Sequence, residues 1–390
     1  MKRTLDSIRE ERNEWKRTGL HRQRRVLQRR KDARLYQDDK EWIDFASNDY
    51  LNLASDERLA RAAGWAARRF GTGAGASPLV TGYFAIHRRL ENALAAWEKA
   101  EAALVFSSGF AANLAAITAF AGQDDVLFSD QLNHASLIDG CRLARSRICI
   151  YRHNDMDHLE SLLQHNGNHA RRRLIVSDTV FSMDGDLAPV RDLADLARRY
   201  DCLLILDEAH ATGVFGSEGR GLADALPLPP EQFIKVGTLS KALGSQGGFI
   251  CSTKKHIDWL VNRGRSYVFS TALAPTSAAA ALQAIKIVKA EPERRQKLLQ
   301  LAKTLREQLE AAGLSTGGSA SQIVPIVLGE PERTVAVAKQ LTQSGLVVGG
   351  IRPPSVPPGT SRLRVSVTAG HNSDDLLALV ENLRRILAND

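Results

Sequence analysis

The chain has 390 residues, 44% hydrophobic and 25% charged, a composition that can bury a full core and excludes wholesale disorder. Roughly two to three times the usual domain length, it predicts two domains, or one large domain with appendages. The net charge of +8 is concentrated, since residues 1–40 hold 14 Lys/Arg against 7 Asp/Glu and leave the rest nearly neutral.

The basic N-terminus comes first along the chain. Arg22, Arg24 and Arg25, followed by Arg29, Arg30 and Lys31, suit nucleic acid, phosphates or an acidic partner. Leu5, Ile8, Arg12, Trp15 and Leu20 fall near helical spacing with acids interleaved, which suits a solvated amphipathic helix. The acids, and the lack of aromatics among the basic residues, argue against nucleic acid. No apolar run of signal-peptide type opens the chain. Four cysteines (Cys141, Cys149, Cys202, Cys251) lie far apart without a C-x-x-C pair, so neither a disulfide scaffold nor a metal module is expected, and the compartment reads as reducing and cytoplasmic.

A short strand over Trp42–Phe45 and a polar turn, Ser47–Tyr50, precede a helical stretch and a glycine-rich run, Gly71–Pro78. That run fails as a dinucleotide loop because no strand precedes it and Pro78 interrupts the helix it should open. Apolar runs then alternate with helical segments. The strand candidates are Ala103–Phe106, Asp125–Ser129, Arg147–Tyr151, Leu174–Asp178, Leu203–Leu206, Ile234–Leu239 and Gly248–Cys251, with helices between them such as Leu187–Tyr200. Near-continuous apolar strands spaced by helices predict a largely parallel sheet covered on both faces, with ligands beyond the carboxyl ends of the strands. Two uncharged stretches, Ala102–Gln123 and Tyr267–Ile285, reach the membrane-spanning length of about 20 residues. Their Ser107, Ser108, Asn113 and Pro275 fit buried helices of a core better. A long helix over roughly 276–312 leads to a smaller α/β region with strands Ile323–Leu328, Leu346–Ile351 and Leu363–Thr368 and helices near 332–344 and 373–388. The expected division is an N-terminal arm, 1–55, a large domain, 56–285, and a small C-terminal domain, 286–390.

Three segments carry candidate chemistry. The strand Leu203–Leu206 runs into Asp207, with His210 three residues on. The acid either points into a ligand crevice or caps the next helix. Lys241 lies just past another strand end, in Thr238-Leu239-Ser240-Lys241. A lysine there must find a partner, lose its charge or reach solvent. Ser107-Ser108-Gly109-Phe110 joins a strand to an uncharged helix, whose N-terminal amides can bind phosphate or simply make a turn. His134 follows a further strand. An amine for a Schiff base, an acid for a pyridine nitrogen, a phosphate-binding helix N-terminus and a ring to lie on a heterocycle together meet the needs of pyridoxal 5'-phosphate.

The set Ser47–Tyr50, Ser108–Phe110, Asn133–Ser136, Phe181–Asp186, Asp207–Gly213, Thr238–Lys241 and Gly359–Arg364 resembles the α-oxoamine synthases, fold-type I pyridoxal phosphate enzymes that condense an amino acid with an acyl thioester. The likeness runs in order from about residue 20 to 385. It implies a large domain with a mostly parallel seven-stranded sheet between helices, a smaller α/β C-terminal domain, and a homodimer with shared active sites. The loop Ile351–Thr360 is similar to that of the family's biotin-pathway member, with Ser355 where threonine is usual. That likeness implies L-alanine and a pimeloyl thioester of coenzyme A or acyl carrier protein as substrates. Members using glycine and a shorter acyl group are the neighbouring reading, and a transaminase sharing the cofactor is another. Residue by residue, the resemblance implies Lys241 as the Schiff-base and proton-moving amine, Asp207 against the pyridinium nitrogen, and His134 stacked on the ring and facing substrate. Ser182 and His210 would bond the ring 3'-oxygen. Gly109, Phe110 and Thr238 would hold the phosphate, with Thr271 reaching the neighbouring subunit's phosphate. Asn48 and Arg364 would grip the amino-acid carboxylate, and Arg22 and Ser355 would meet the acyl substrate.

Overall fold

The computed structural model describes residues 2–37, 39–166, 170–224 and 226–388. They form two compact units. One comprises residues 1–50, 183–186 and 297–390, and the other 51–182 and 187–296. The first 50 residues thus belong with the C-terminal segment, where the sequence suggests a separate arm.

In the unit of the chain ends, the helix Lys2–Arg17 confirms the amphipathic reading, with Leu5, Ile8 and Trp15 exposed. Strands β1 (Arg29–Lys31), β2 (Arg34–Gln37) and β3 (Lys40–Asp44) follow as an antiparallel meander. The guanidinium of Arg29 lies 4.4 Å from the Tyr36 ring centre, and that of Arg25 lies 5.5 Å from the Trp42 ring centre.

In the other unit, β4 (Ala102–Phe106), β5 (Val126–Asp130), β6 (Arg147–Tyr151), β7 (Arg173–Asp178), β8 (Leu203–Asp207), β9 (Phe233–Thr238) and β10 (Gly248–Ser252) form one seven-stranded sheet. Its order is β4-β10-β9-β8-β7-β5-β6, and β10 alone runs against its neighbours. The sheet is parallel because helices return the chain between most of its strands, and it is apolar because helices bury both faces. Alternation along β8 divides the core: Ile205 packs with Ala112, Ala115 and Ile117 of the helix Gly109–Phe120, while Leu204 and Leu206 pack with Leu159 and Leu193 on the other face. Both uncharged stretches are accounted for by such core elements. No helix among the described residues is long and apolar enough to cross a membrane.

The expected long helix is two, Pro275–Ala290 and Glu293–Ala311. Pro292 lies between them and disfavours the helical conformation at Glu291 before it. Beyond lie β11 (Ile323–Gly329), β12 (Leu346–Val347), β13 (Gly349–Ile351) and β14 (Ser361–Ser366). The run Leu346–Ile351, expected as one strand, serves two sheets: β12 pairs in parallel with β3, and β13 pairs antiparallel with β14.

His371 locks this unit's interior. It is fully buried, stacks on Phe45 with ring centres 4.3 Å apart, and accepts the Thr368 N–H at Nδ1 at 2.9 Å. Burial pushes its pKa down from 6.5 to about 4, with Asp375 opposing and Arg34 reinforcing the shift. A depressed imidazole pKa contributes stability above pH 6.5 that is lost as pH falls toward 4, worth about 3 kcal/mol by proton linkage. Thermal unfolding from pH 7 to 4 should therefore show a steeper fall for the wild type than for His371→Asn. Parallel curves would show that the imidazole titrates alike in the folded and unfolded states.

Candidate active site

The carboxyl ends of β7, β8 and β9 carry the chemistry. Asp207 ends β8, and strand alternation places it on the Ile205 face, under the helix Gly109–Phe120. It is 4% exposed. Its Oδ2 accepts from Asn113 Nδ2 at 2.6 Å and its Oδ1 from the Ala209 N–H at 2.7 Å.

Lys241 stands three residues beyond β9, half-buried, with Nζ 2.8 Å from Nε2 of the buried His210. The turn that carries it closes through the Gly244 N–H to the Lys241 carbonyl at 2.9 Å. Gly244 has φ +60, and a Cβ there would come within 2.5 Å of the Ala54 nitrogen. Glycine is required by both conformation and space.

The helix Gly109–Phe120 begins at Ser108, whose hydroxyl accepts the Ala111 N–H at 3.1 Å and whose carbonyl accepts the Ala112 N–H at 3.1 Å. The amides of Gly109 and Phe110 precede these and open the helix, the place where an anion is favoured. Thr238, at the end of β9, stands against Gly109, since a Cβ on that glycine would lie 3.4 Å from Thr238 Oγ1. Strand and helix thus bring a hydroxyl and two leading amides together as a phosphate cradle.

His134 caps the helix Ala135–Leu143 and is exposed to solvent on one side. Its backbone N–H donates to Asp178 Oδ2 at 2.6 Å. Burial of the imidazole's inner side lowers its pKa, with Asp207 opposing and Lys241 reinforcing the shift. Burial, then Asp207, pushes the Asp178 carboxyl well above the usual range. Ser182 is half-buried in the segment after β7, whose Thr179 N–H bonds the Asp207 carbonyl at 3.0 Å. Thr271 is exposed on the loop before the helix Pro275–Ala290.

The remaining expected residues belong to the unit of the chain ends. Arg364 of β14 is 7% exposed and donates from Nη1 to Asn48 Oδ1 at 3.1 Å and to Ser366 Oγ at 2.8 Å. Its Nη2 lies 3.5 Å from the Tyr50 hydroxyl, which donates to Asn48 Oδ1 at 3.1 Å. Arg22 Nη2 donates to the Pro353 carbonyl at 3.3 Å, and Arg352 returns a bond to the His21 carbonyl at 2.8 Å. Arg22 is thereby clasped to the loop that exposes Ser355.

These residues fit pyridoxal phosphate. Asp207 can accept from a protonated ring nitrogen, Lys241 offers an amine beside a histidine, and the cradle at Gly109 takes an anion. Sequence reasoning did not assign Asn113, Ser136, Asp178 or Tyr50 to the site. Asn113 had a legible signal, as the only residue with a side-chain amide in the uncharged segment Gly109–Phe120. A buried amide needs partners.

The fold and this constellation define a fold-type I pyridoxal phosphate enzyme, and a model of the family "Aminotransferase class I and II" matches residues 40–383. The chain is 45% identical over 371 residues to an 8-amino-7-oxononanoate synthase from Geobacter sulfurreducens, covering 94% of each. Among solved structures, a serine palmitoyltransferase from S. paucimobilis with bound PLP and myriocin superposes with a TM-score of 0.92 at 30% identity, over 99% of each chain. An 8-amino-7-oxononanoate synthase from Francisella tularensis gives 0.78 at 27% identity, over 90% of this chain and 99% of that one. The chain belongs to the 8-amino-7-oxononanoate synthase family.

Proposed function

We propose that the chain condenses L-alanine with a pimeloyl thioester to give 8-amino-7-oxononanoate, carbon dioxide and the free thiol, with pyridoxal phosphate as cofactor. The observation that carries this reading is Lys241 Nζ at 2.8 Å from His210 Nε2, three residues past the strand that neighbours the one ending in Asp207. The identity of 45% to a curated synthase, against 30% to the palmitoyltransferase, supports alanine and pimelate over serine and palmitate.

Lys241 would hold the cofactor's aldehyde carbon, Asp207 its ring nitrogen, and Ser182 with His210 its 3'-oxygen. Gly109, Phe110 and Thr238 would hold its phosphate, and Thr271 the phosphate in a second copy of the chain. When bound, the cofactor supplies an electron-withdrawing ring that stabilises negative charge at the amino acid's Cα. Lys241 would remove the Cα proton, and the Cα electron pair would attack the thioester carbonyl. The bond from carbon to sulfur breaks and the thiol leaves. The carboxylate then departs as carbon dioxide, and Lys241 returns a proton to Cα. His134, exposed to solvent on one side, would bound the space for substrate.

Arg364 and Asn48 would receive the alanine carboxylate. Replacing Arg364 by lysine removes the fork that matches a carboxylate and should raise KM for alanine about 10–100-fold, with the thioester KM little changed. Arg22 and Ser355 would meet the acyl donor. The same unit has a cavity of about 610 Å³ lined by Arg25, Arg30, Lys339 and Arg352, with Asp44 the single acid. This basic excess suits the phosphates of coenzyme A or of an acyl carrier protein. Arg22→Ala should raise the thioester KM more than the alanine KM. An unchanged thioester KM would remove Arg22 from the site.

The deciding assay measures carbon dioxide and thiol with alanine or glycine against pimeloyl, succinyl and acetyl thioesters. Highest kcat/KM for alanine with pimeloyl supports the reading. Preference for glycine with a short acyl group would assign a different condensation. A keto acid without carbon dioxide would make the chain a transaminase.

A further inference from the structure

A line of hydrogen bonds joins Asp207 to His134 through two residues with no assigned role. Asn113 Nδ2 lies 2.6 Å from Asp207 Oδ2 and 2.8 Å from Ser136 Oγ. Ser136 Oγ lies 2.7 Å from His134 Nδ1. Asn113 is 1% exposed and Ser136 is fully buried, so water does not compete for these bonds.

Counting donors fixes the two amide bonds, and the backbone N–H at the helix cap fixes the bond to His134. An amide nitrogen has two N–H groups, and Asn113 uses them on Asp207 and on Ser136, while its buried carbonyl has no partner. Ser136 Oγ therefore accepts from Asn113, and its single O–H is left to donate to His134 Nδ1. An independent contact agrees, since the Ser136 backbone N–H also approaches Nδ1, at 3.3 Å, in the N-cap of the helix. Nδ1 thus faces two donors and must carry no proton. An N–H on Nδ1 would be aimed at the Ser136 N–H.

We propose that Ser136 and Asn113 are positioning residues that hold His134 as the imidazole protonated on Nε2, in a line of hydrogen bonds that ends on the Asp207 carboxylate. The consequence for the reaction rests on the reading above. The carboxylate that would hold a ring nitrogen and the histidine that would lie against that ring are then joined by one line of hydrogen bonds. The charges bearing on His134 are those of Asp207, Lys241 and Asp139, with Asp178 fixed on its backbone N–H.

The test is ¹⁵N NMR of histidine-labelled protein, free of cofactor and after loading, with His134→Gln assigning the resonance. Wild type at neutral pH should show His134 as a single tautomer with Nε2 protonated and Nδ1 bare. Ser136→Ala and Asn113→Ala should show both tautomers, with the minor form rising at least several-fold, while Ser136→Thr keeps the hydroxyl and the wild-type spectrum. An Nδ1-protonated imidazole in the wild type overturns the proposal, whatever the variants do. A wild-type spectrum in Ser136→Ala overturns the role of Ser136. Either result leaves the carbon dioxide assay standing, so this inference and the proposed reaction fail separately.

Discussion

Lys241→Ala should bind pyridoxal phosphate without a covalent bond and lose condensation almost entirely. Loss of the proton-moving amine alone should cost roughly 10²–10⁴-fold in kcat, and loss of the covalent attachment adds to it. The physical reason lies in the amine's surroundings. Nζ stands 2.8 Å from His210 Nε2, an acceptor able to take a hydrogen bond from an amine, on a turn fixed by Gly244. Borohydride reduction of the loaded wild type, digestion and mass analysis should place the pyridoxyl group on the peptide bearing Lys241. The Lys241→Ala protein should yield no adduct, yet still show cofactor absorbance, because Asp207 and the cradle at Gly109 remain. An adduct on another lysine of the wild type would overturn the site.

The sheet was legible because its strands are buried on both faces, so each is a nearly continuous apolar run such as Leu203–Asp207. Strand β1, Arg29-Arg30-Lys31, is exposed at every position and carries no apolar period, so only its pairing with β2 makes it a strand. The break at Pro292 was masked by an amphipathic pattern that continues on both sides. The catalytic candidates were legible from position, as charged or imidazole groups just past apolar runs. Ser136 and Tyr50 were not, and Asn113 was legible only as an amide in need of partners, because their roles are relations between distant segments. Asn113 and Asp207 are 94 positions apart and meet only because a helix crosses the end of β8. No local pattern encodes that distance.

Burial alone does not select a catalytic lysine, and Lys235 provides the contrast. It lies six positions before Lys241, on β9, and is 5% exposed. Its Nζ donates to Glu98 Oε2 at 2.5 Å and to the Arg220 carbonyl. Burial works to lower its pKa, but Glu98 and then Glu208 outweigh burial and raise it. The amine is therefore held charged and cannot serve as a nucleophile. Burial pushes the Glu98 carboxyl up to about 7 against the pull of Lys235, so removing the lysine leaves an uncompensated buried acid. Lys235→Met should destabilise the fold by about 3–5 kcal/mol at pH 8. The loss should shrink near pH 5, because without the lysine Glu98 takes up a proton in the folded state and its buried charge disappears. The double variant Lys235→Met/Glu98→Leu should recover most of the stability, since two apolar side chains of similar volume need no compensation. Chemical denaturation at both pH values measures these differences. A single variant as stable as wild type would show that solvent reaches Glu98. A double variant as unstable as the single would show that the lysine's packing, and not its charge, was lost. In each variant that folds, the pyridoxyl adduct should remain on Lys241, because the two amines differ in what compensates them and not in depth alone.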